Sequence, residues 1–331
     1  MKIFITGSEG FIGSHLTEKL VAEGFKVKAL AMYNFKNSIG WLETIDKKIF
    51  KEIEIVKGDI RDIDFLKNQL KKIDTVIHLA ALIGIPYSYV SSRSYLETNV
   101  SGTLNILQAA LKNGTNKIIN TSTSEVYGSA IKVPISEKHL LQGQSPYSAT
   151  KIAADQIAFS FFKSFNLPVV TLRPFNTYGP RQSMRAVIPT IINQILNNNI
   201  LEIGNLNSTR DFNYVDDICD GFLRTLKTKN KNIFGETINL GTGYEISIKK
   251  IIDLISSILE KKIKINVSQK RIRPKNSEVM RLCADSRKAK KLIKWNPKYS
   301  GKDGLIRGLE ETINWYRINE ISENNVTEYF T

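Results

Sequence analysis

Apolar residues fall along this chain in short continuous runs, separated by stretches in which they recur at helical spacing. KIFIT, FKVKAL, IEIVKGDI, TVIHLAA, KIIN and LPVVTLRP are compact apolar runs and read as buried strands. Between them, FIGSHLTEKLVAEG, YLETNVSGTLNILQAALKNG and IAADQIAFSFF carry apolar residues three and four apart and read as helices. The second of these closes on Gly114, a C-terminal stop. Strands that alternate with helices predict an α/β protein with a parallel sheet and helices on both faces. Ligands of such sheets bind beyond the carboxyl ends of the strands.

After Pro174 the pattern changes. FNTYGPRQ is rich in turn formers, and RAVIPTIINQILNNN reads as a helix. ICDGFLRTLKT and ISIKKIIDLISSILEKK also read as helices, ETINLGTG and KIKINV as strands, and RIRPKNSEVMRL as an arginine-rich loop. A helix through GLIRGLEETINWYRI closes the fold. No repeat, low-complexity block or linker interrupts the second half, which predicts a cap folded onto the first half.

Two segments carry chemistry. The first is the turn after the opening strand, where Gly7, Gly10 and Gly13 are spaced G-x-x-G-x-x-G before a helix. Glycines there allow a tight turn, close approach to a pyrophosphate and close helix–sheet packing. The helix N-terminus offers free N–H groups to the phosphates. A dinucleotide is the ligand this pattern predicts. The second strand should end in an acid for the adenosine ribose, yet Ala31 stands there, with Lys36 nearby. These residues leave NAD and NADP both open.

The second segment runs from Thr121 to Lys151, TSTSEVYG to SPYSATK, between a strand and a helix. Tyr147 and Lys151 are one helical turn apart and share a face. A lysine ammonium there would lower the phenol pKa and make Tyr147 a base. Thr123 offers a hydroxyl to the same substrate oxygen, and Glu125 a second acid or base.

Composition narrows the partners. Hydrophobic residues make up 42% and charged residues 24%, ordinary values for a globular protein. The net charge of +15 is spread widely and accompanies no nucleic-acid motif; a basic surface that attracts a phosphorylated small molecule is the expectation. No apolar run reaches the length of a membrane span, and a strand at residue 2 leaves no room for a signal peptide, so a cytoplasmic protein is expected. Two distant cysteines and three histidines without ligand spacing predict neither disulfide nor metal.

The glycine turn, HLAA at 78–81, Asn99, Tyr147 with Lys151, and RPFNTYGPR at 173–181 together resemble the extended short-chain dehydrogenase/reductases. The resemblance runs to about Tyr316. A narrower likeness is to the nucleotide-sugar 4,6-dehydratases. Residues 40–42, 81–89, 142–151 and 181–190 resemble the N-acetylglucosamine 4,6-dehydratases of legionaminic acid biosynthesis. The resemblance implies a Rossmann-type doubly wound sheet over residues 1–177, joined by parts of 211–243. Residues 178–331 would be mainly a smaller α/β substrate-binding cap.

It also implies NAD as the cofactor, with NADP not excluded, and cofactor contacts from Gly7, Gly10, Phe11, Ile12, Gly13, Asp59, Ile60, Leu79, Ala80, Ala81, Asn99, Tyr147 and Lys151. Thr123, Ser124, Glu125, Tyr147 and Lys151 would form the catalytic set, with Asn176, Arg185, Arg210 and Arg273 on the substrate. Many 4,6-dehydratases carry Thr-Asp-Glu where this chain has Thr123-Ser124-Glu125. Thr-Ser-Glu also occurs in GDP-mannose 4,6-dehydratases and in UDP-glucuronate decarboxylases, so decarboxylation or 4-epimerisation stands as the alternative to dehydration. Related enzymes pair the helices that begin near Tyr95 and Tyr147 with their copies, and a homodimer is expected. The apolar residues Leu104, Ile106 and Leu107, and Ile152, Ile157, Phe159, Phe161 and Phe162, lie on more than one face of these helices.

Overall fold

The computed structural model describes residues 1–319. Its centre is a seven-stranded, wholly parallel sheet. Six strands come from the first half: β1 (Lys2–Thr6), β2 (Lys26–Met32), β3 (Ile53–Gly58), β4 (Thr75–His78), β5 (Lys117–Thr121) and β6 (Val169–Pro174). The seventh, Thr237–Leu240, arrives later in the chain and pairs with the outer edge of β6. The order is Thr237–Leu240, β6, β5, β4, β1, β2, β3. The direction of strand addition reverses between β1 and β4, which opens the crevice where doubly wound sheets take ligands.

Helices cover both faces. Phe4, Val76, Ile106, Leu107, Ile118 and Phe161 build the core on the side of helices Gly102–Lys112 and Pro146–Phe165. On the other side Ile3, Ile5, Leu16 and Leu20 join Ile218 and Phe222 of helix Val215–Lys227. That second core continues without a break into the cap through Ile191, Ile252 and Leu309. At about 1.5–3 kcal/mol for each buried aliphatic side chain, this shared core holds cap and sheet together.

The cap contains helices Val187–Asn197, Ile248–Leu259 and Gly301–Ile318, with short strands between them. Asp211 fastens it to the sheet. Its buried carboxylate accepts the backbone N–H groups of Thr242, Gly243 and Ala284 at 2.9, 2.9 and 3.0 Å and the Thr242 hydroxyl at 2.6 Å. These bonds favour the ion, but burial outweighs them and leaves its pKa above the usual carboxylate value.

One expected helix is divided. The stretch from Tyr95 to Gly114 reads from its periodicity as continuous, whereas Leu96–Ser101 forms a π-helical turn and the α-helix begins at Gly102. The widened turn carries Asn99. Gly114 follows the helix at φ +64°, the conformation that suits glycine.

Candidate active site

The glycine turn is built as a cradle. Gly7 has φ +69°, and a Cβ there would lie 2.7 Å from the Ala80 nitrogen. A Cβ on Gly13 would lie 2.0 Å from the Gly7 oxygen, so the helix that follows, α1 (Phe11–Ala22), can pack this closely only with glycine. At Gly10 a Cβ would meet only the Gly7 oxygen, at 3.3 Å, leaving the backbone open towards the crevice. The N-terminus of α1 has no side-chain cap and no acid in its first turn. Its unpaired N–H groups suit a pyrophosphate.

A cavity of about 510 Å³ runs from this turn across the strand ends. Phe11, Ile12, Asp59, Ile60, Leu79, Ala80 and Ala81 line it, and Tyr147 and Lys151 stand in its wall. The residues present therefore fit a dinucleotide. Asp59 is held by Arg61 at 2.6 Å. Burial pushes the Asp59 carboxyl up, yet this pairing keeps it below the usual range. Asn99 is buried; its amide accepts the Leu82 N–H at 2.9 Å and donates to the Leu82 carbonyl at 3.0 Å and to Thr150 at 3.1 Å. It thus ties the loop after β4 to the Tyr147 helix.

That helix, Pro146–Phe165, starts on a capping box made by Ser145 and Ser148. The cap fixes the first turn, and Tyr147 sits in it. Thr123, two residues beyond β5, lies close enough to the Tyr147 phenol to act on its pKa, and its hydroxyl accepts the Glu125 N–H at 3.3 Å. The structure thus brings Thr123, Glu125 and Tyr147 together. Ser124 is buried beside them.

One expectation is corrected. Lysine was expected to lower the Tyr147 phenol, but burial pushes the phenol well above its usual value, with Thr123 opposing and Glu125 adding to the rise. The Lys151 ammonium instead donates to the Thr121 carbonyl at 2.6 Å, and burial lowers its own pKa against the pull of Asp155. Desolvation is stronger here than the lysine's field.

Beneath these groups lies a buried polar network absent from the sequence reading. Asp155 accepts two bonds from Arg173, at 2.8 and 3.1 Å, and one from Ser122 at 2.5 Å. Arg173 also donates to the Tyr127 hydroxyl at 3.0 Å, which donates to Asn239 at 2.7 Å. Asp155 follows Lys151 by four residues on the same helix, and that spacing was the available signal. Tyr95 was also missed; its ring meets Tyr147 edge-on at 6.3 Å.

From the cap side come the arginines. The Arg273 guanidinium lies 3.9 Å from Glu125, and one of its nitrogens is buried without a hydrogen bond. Arg210 is buried 3.7 Å from Glu278, and burial lowers its pKa against the field of Glu125. Asn176 has a buried side-chain oxygen without a partner. Arg185 is exposed and acts on Tyr95 through its charge. The loop that bears Arg273 is clasped to the catalytic side: Ser277 donates to the Gln144 carbonyl at 2.6 Å and bonds the Tyr89 hydroxyl at 2.6 Å.

Among the described residues no group of His, Cys, Asp and Glu converges as a metal site, and no helix is long and apolar enough to cross a membrane. Cys219 and Cys283 are buried free thiols.

A dinucleotide cradle that ends at a Tyr–Lys pair defines an enzyme class: dinucleotide-dependent oxidoreductase chemistry on a substrate hydroxyl. Comparison with known proteins gives the family. The family described as GDP-mannose 4,6 dehydratase matches residues 4–307. A human dTDP-D-glucose 4,6-dehydratase is 34% identical over 98% of this chain and 92% of its own. A Bacillus cereus UDP-glucuronic acid 4-epimerase, solved with UDP-glucuronic acid and NAD, superposes with a TM-score of 0.86 at 33% identity, covering 96% of this chain and 100% of that one. A Streptomyces venezuelae dTDP-glucose 4,6-dehydratase, solved with NAD, gives 0.82 at 27% identity, covering 97% and 98%. The chain belongs to the extended short-chain dehydrogenase/reductase family of NAD-dependent nucleotide-sugar dehydratases and epimerases.

Proposed function

We propose that this enzyme is a nucleotide-sugar 4,6-dehydratase acting on GDP- or UDP-N-acetylglucosamine, as in legionaminic acid biosynthesis. The observation that carries the reading is Glu125. A carboxylate within reach of Arg273, beside the Thr123–Tyr147 pair, supplies a second base that a 4-epimerase has no use for. When bound, NAD supplies a hydride acceptor that later returns the hydride. Tyr147 takes the proton of the sugar C4 hydroxyl while Thr123 holds its oxygen. The C4 ketone acidifies the C5 proton, and Glu125 removes it. Water leaves from C6 with Glu125 or Ser124 as its proton donor, which leaves a C5–C6 double bond; with the hydride restored at C6 and a proton at C5, the 4-keto-6-deoxy sugar results. Positioned proton transfers of this kind typically contribute about 10²–10⁴-fold each.

Asn176, Arg185, Arg210 and Arg273 bind the substrate in this reading. An arginine fork matches diphosphate oxygens, and the buried nitrogen of Arg273 supplies a donor for them. The enzyme works as a homodimer through the Tyr95 and Tyr147 helices. Incubation with a panel of nucleotide sugars, followed by product mass, tests the reaction: loss of one water supports dehydration. Loss of carbon dioxide, or an unchanged mass with inversion at C4, would replace it with decarboxylation or epimerisation.

A further inference from the structure

The second strand of this chain ends without the acid that usually holds the adenosine ribose. Ala31 is buried and Met32 faces the cavity. A carboxylate nevertheless stands at that place, supplied by the glycine turn. Glu9 lines the same cavity, and its Oε1 accepts the Met32 N–H at 3.0 Å. Its other oxygen, Oε2, is buried and has no hydrogen-bond partner. A buried carboxylate oxygen left without a donor is costly, so its place in a ligand cavity points to a donor that arrives with the ligand.

The surrounding chain holds Glu9 in position. The Glu9 carbonyl accepts the Trp41 N–H at 3.0 Å. Gly40 approaches so closely that a Cβ there would lie 2.7 Å from that carbonyl. The nearby cations are engaged elsewhere. Lys57 bonds the carbonyl and side chain of Asn37, Arg61 bonds Asp59, and Lys36 lies over the Phe35 ring. Neither arginine nor lysine is thereby aimed at a 2′-phosphate beside Glu9.

We propose that Glu9 sets the cofactor preference of this enzyme, accepting the adenosine ribose hydroxyls and repelling the 2′-phosphate of NADP. A carboxylate accepts hydroxyl protons strongly, and a second anion placed against it provides the repulsive element that selectivity requires. The proposal concerns the dinucleotide alone and stands whether the reaction is dehydration, decarboxylation or epimerisation.

The test is competition on the purified holoprotein. Wild-type protein, Glu9→Gln and Glu9→Ala are each dialysed against mixtures of NADH and NADPH in known ratio, and the dinucleotide retained is identified by mass. Glu9→Gln keeps an acceptor for Met32 and removes only the charge, whereas Glu9→Ala removes both. Wild-type protein is expected to retain NADH even under a roughly tenfold excess of NADPH. Both variants should shift the retained ratio towards NADPH by about tenfold or more. Either variant decides the matter if the other fails to fold. A ratio unchanged in the folded variant, or NADPH retained by wild-type protein, would overturn the proposal.

Discussion

Tyr147 illustrates how burial and function oppose each other at one residue. Its phenol is held protonated by desolvation, so its base form is scarce near neutrality and grows with pH. The rate of C4 oxidation in a single turnover should therefore rise from about pH 6 to pH 9. Tyr147→Phe keeps the ring against Tyr95 but should lower that rate about 10²–10⁴-fold and flatten its pH dependence. Near-normal turnover in the variant would remove Tyr147 from the mechanism. Glu125→Gln separates the two halves of the reaction. C4 oxidation should persist while solvent deuterium no longer enters C5; exchange at the wild-type rate would assign the C5 base elsewhere.

At the level of elements, His78 joins three of them. It ends β4, and its ring bonds Thr6 of β1 at 2.8 Å and Thr103 of helix Gly102–Lys112 at 3.1 Å. Burial, with a smaller push from Lys151, lowers its pKa to about 3. A depressed folded-state value means that the neutral ring contributes its full stability above the unfolded pKa of about 6.5. That contribution falls as pH drops from there towards 3, by about 1.4 kcal/mol per pH unit. Urea midpoints of wild type and His78→Gln at several pH values check this: the variant should be less stable at pH 7 but lose less on acidification. Equal slopes would rule the histidine out.

The elements were mostly legible because buried parallel strands read as unbroken apolar runs. The π turn at Leu96–Ser101 was not, since one extra residue in a turn hardly disturbs a periodic pattern. The glycine turn and the Tyr–Lys spacing are local and could be read directly. The Asp155–Arg173–Tyr127–Asn239 network joins four separate elements, and no local pattern announces such a meeting. Glu9 was hidden for another reason. Its carboxylate occupies a place expected of a different strand.

On the scale of the whole molecule, the apolar faces of two helices stay open. Helices Gly102–Lys112 and Pro146–Phe165 pack side by side, and Leu111, Phe159 and Phe165 remain exposed at 37%, 45% and 53%. Leu96 in the preceding turn is 53% exposed. Other residues of the same helices are covered within the chain; Phe161 is buried, and Phe162 packs against Gly235. Exposed apolar residues on adjacent helices suit a self-complementary contact with a second copy. Light scattering at micromolar concentration should give twice the chain mass, and Phe159→Glu with Phe165→Glu should return it to one. A monomeric wild-type protein would remove the dimer from the proposed function.

The outermost strand has a consequence for how the protein is made. On the ribosome, β6 emerges before residues 175–236, and only then does Thr237–Leu240 arrive to pair with it. All six residues of β6 are buried in the finished sheet. Throughout that interval the nascent chain carries an apolar strand with one edge unpaired, the kind of edge that recruits strands from other chains. The cofactor half is thus contiguous in space but incomplete in time. A fragment of residues 1–177, which contains Gly7, Gly10 and Gly13 and both members of the Tyr–Lys pair, should collect in the pellet when expressed alone. Recovery of that fragment as a soluble monomer that retains NAD would show that the last strand is dispensable.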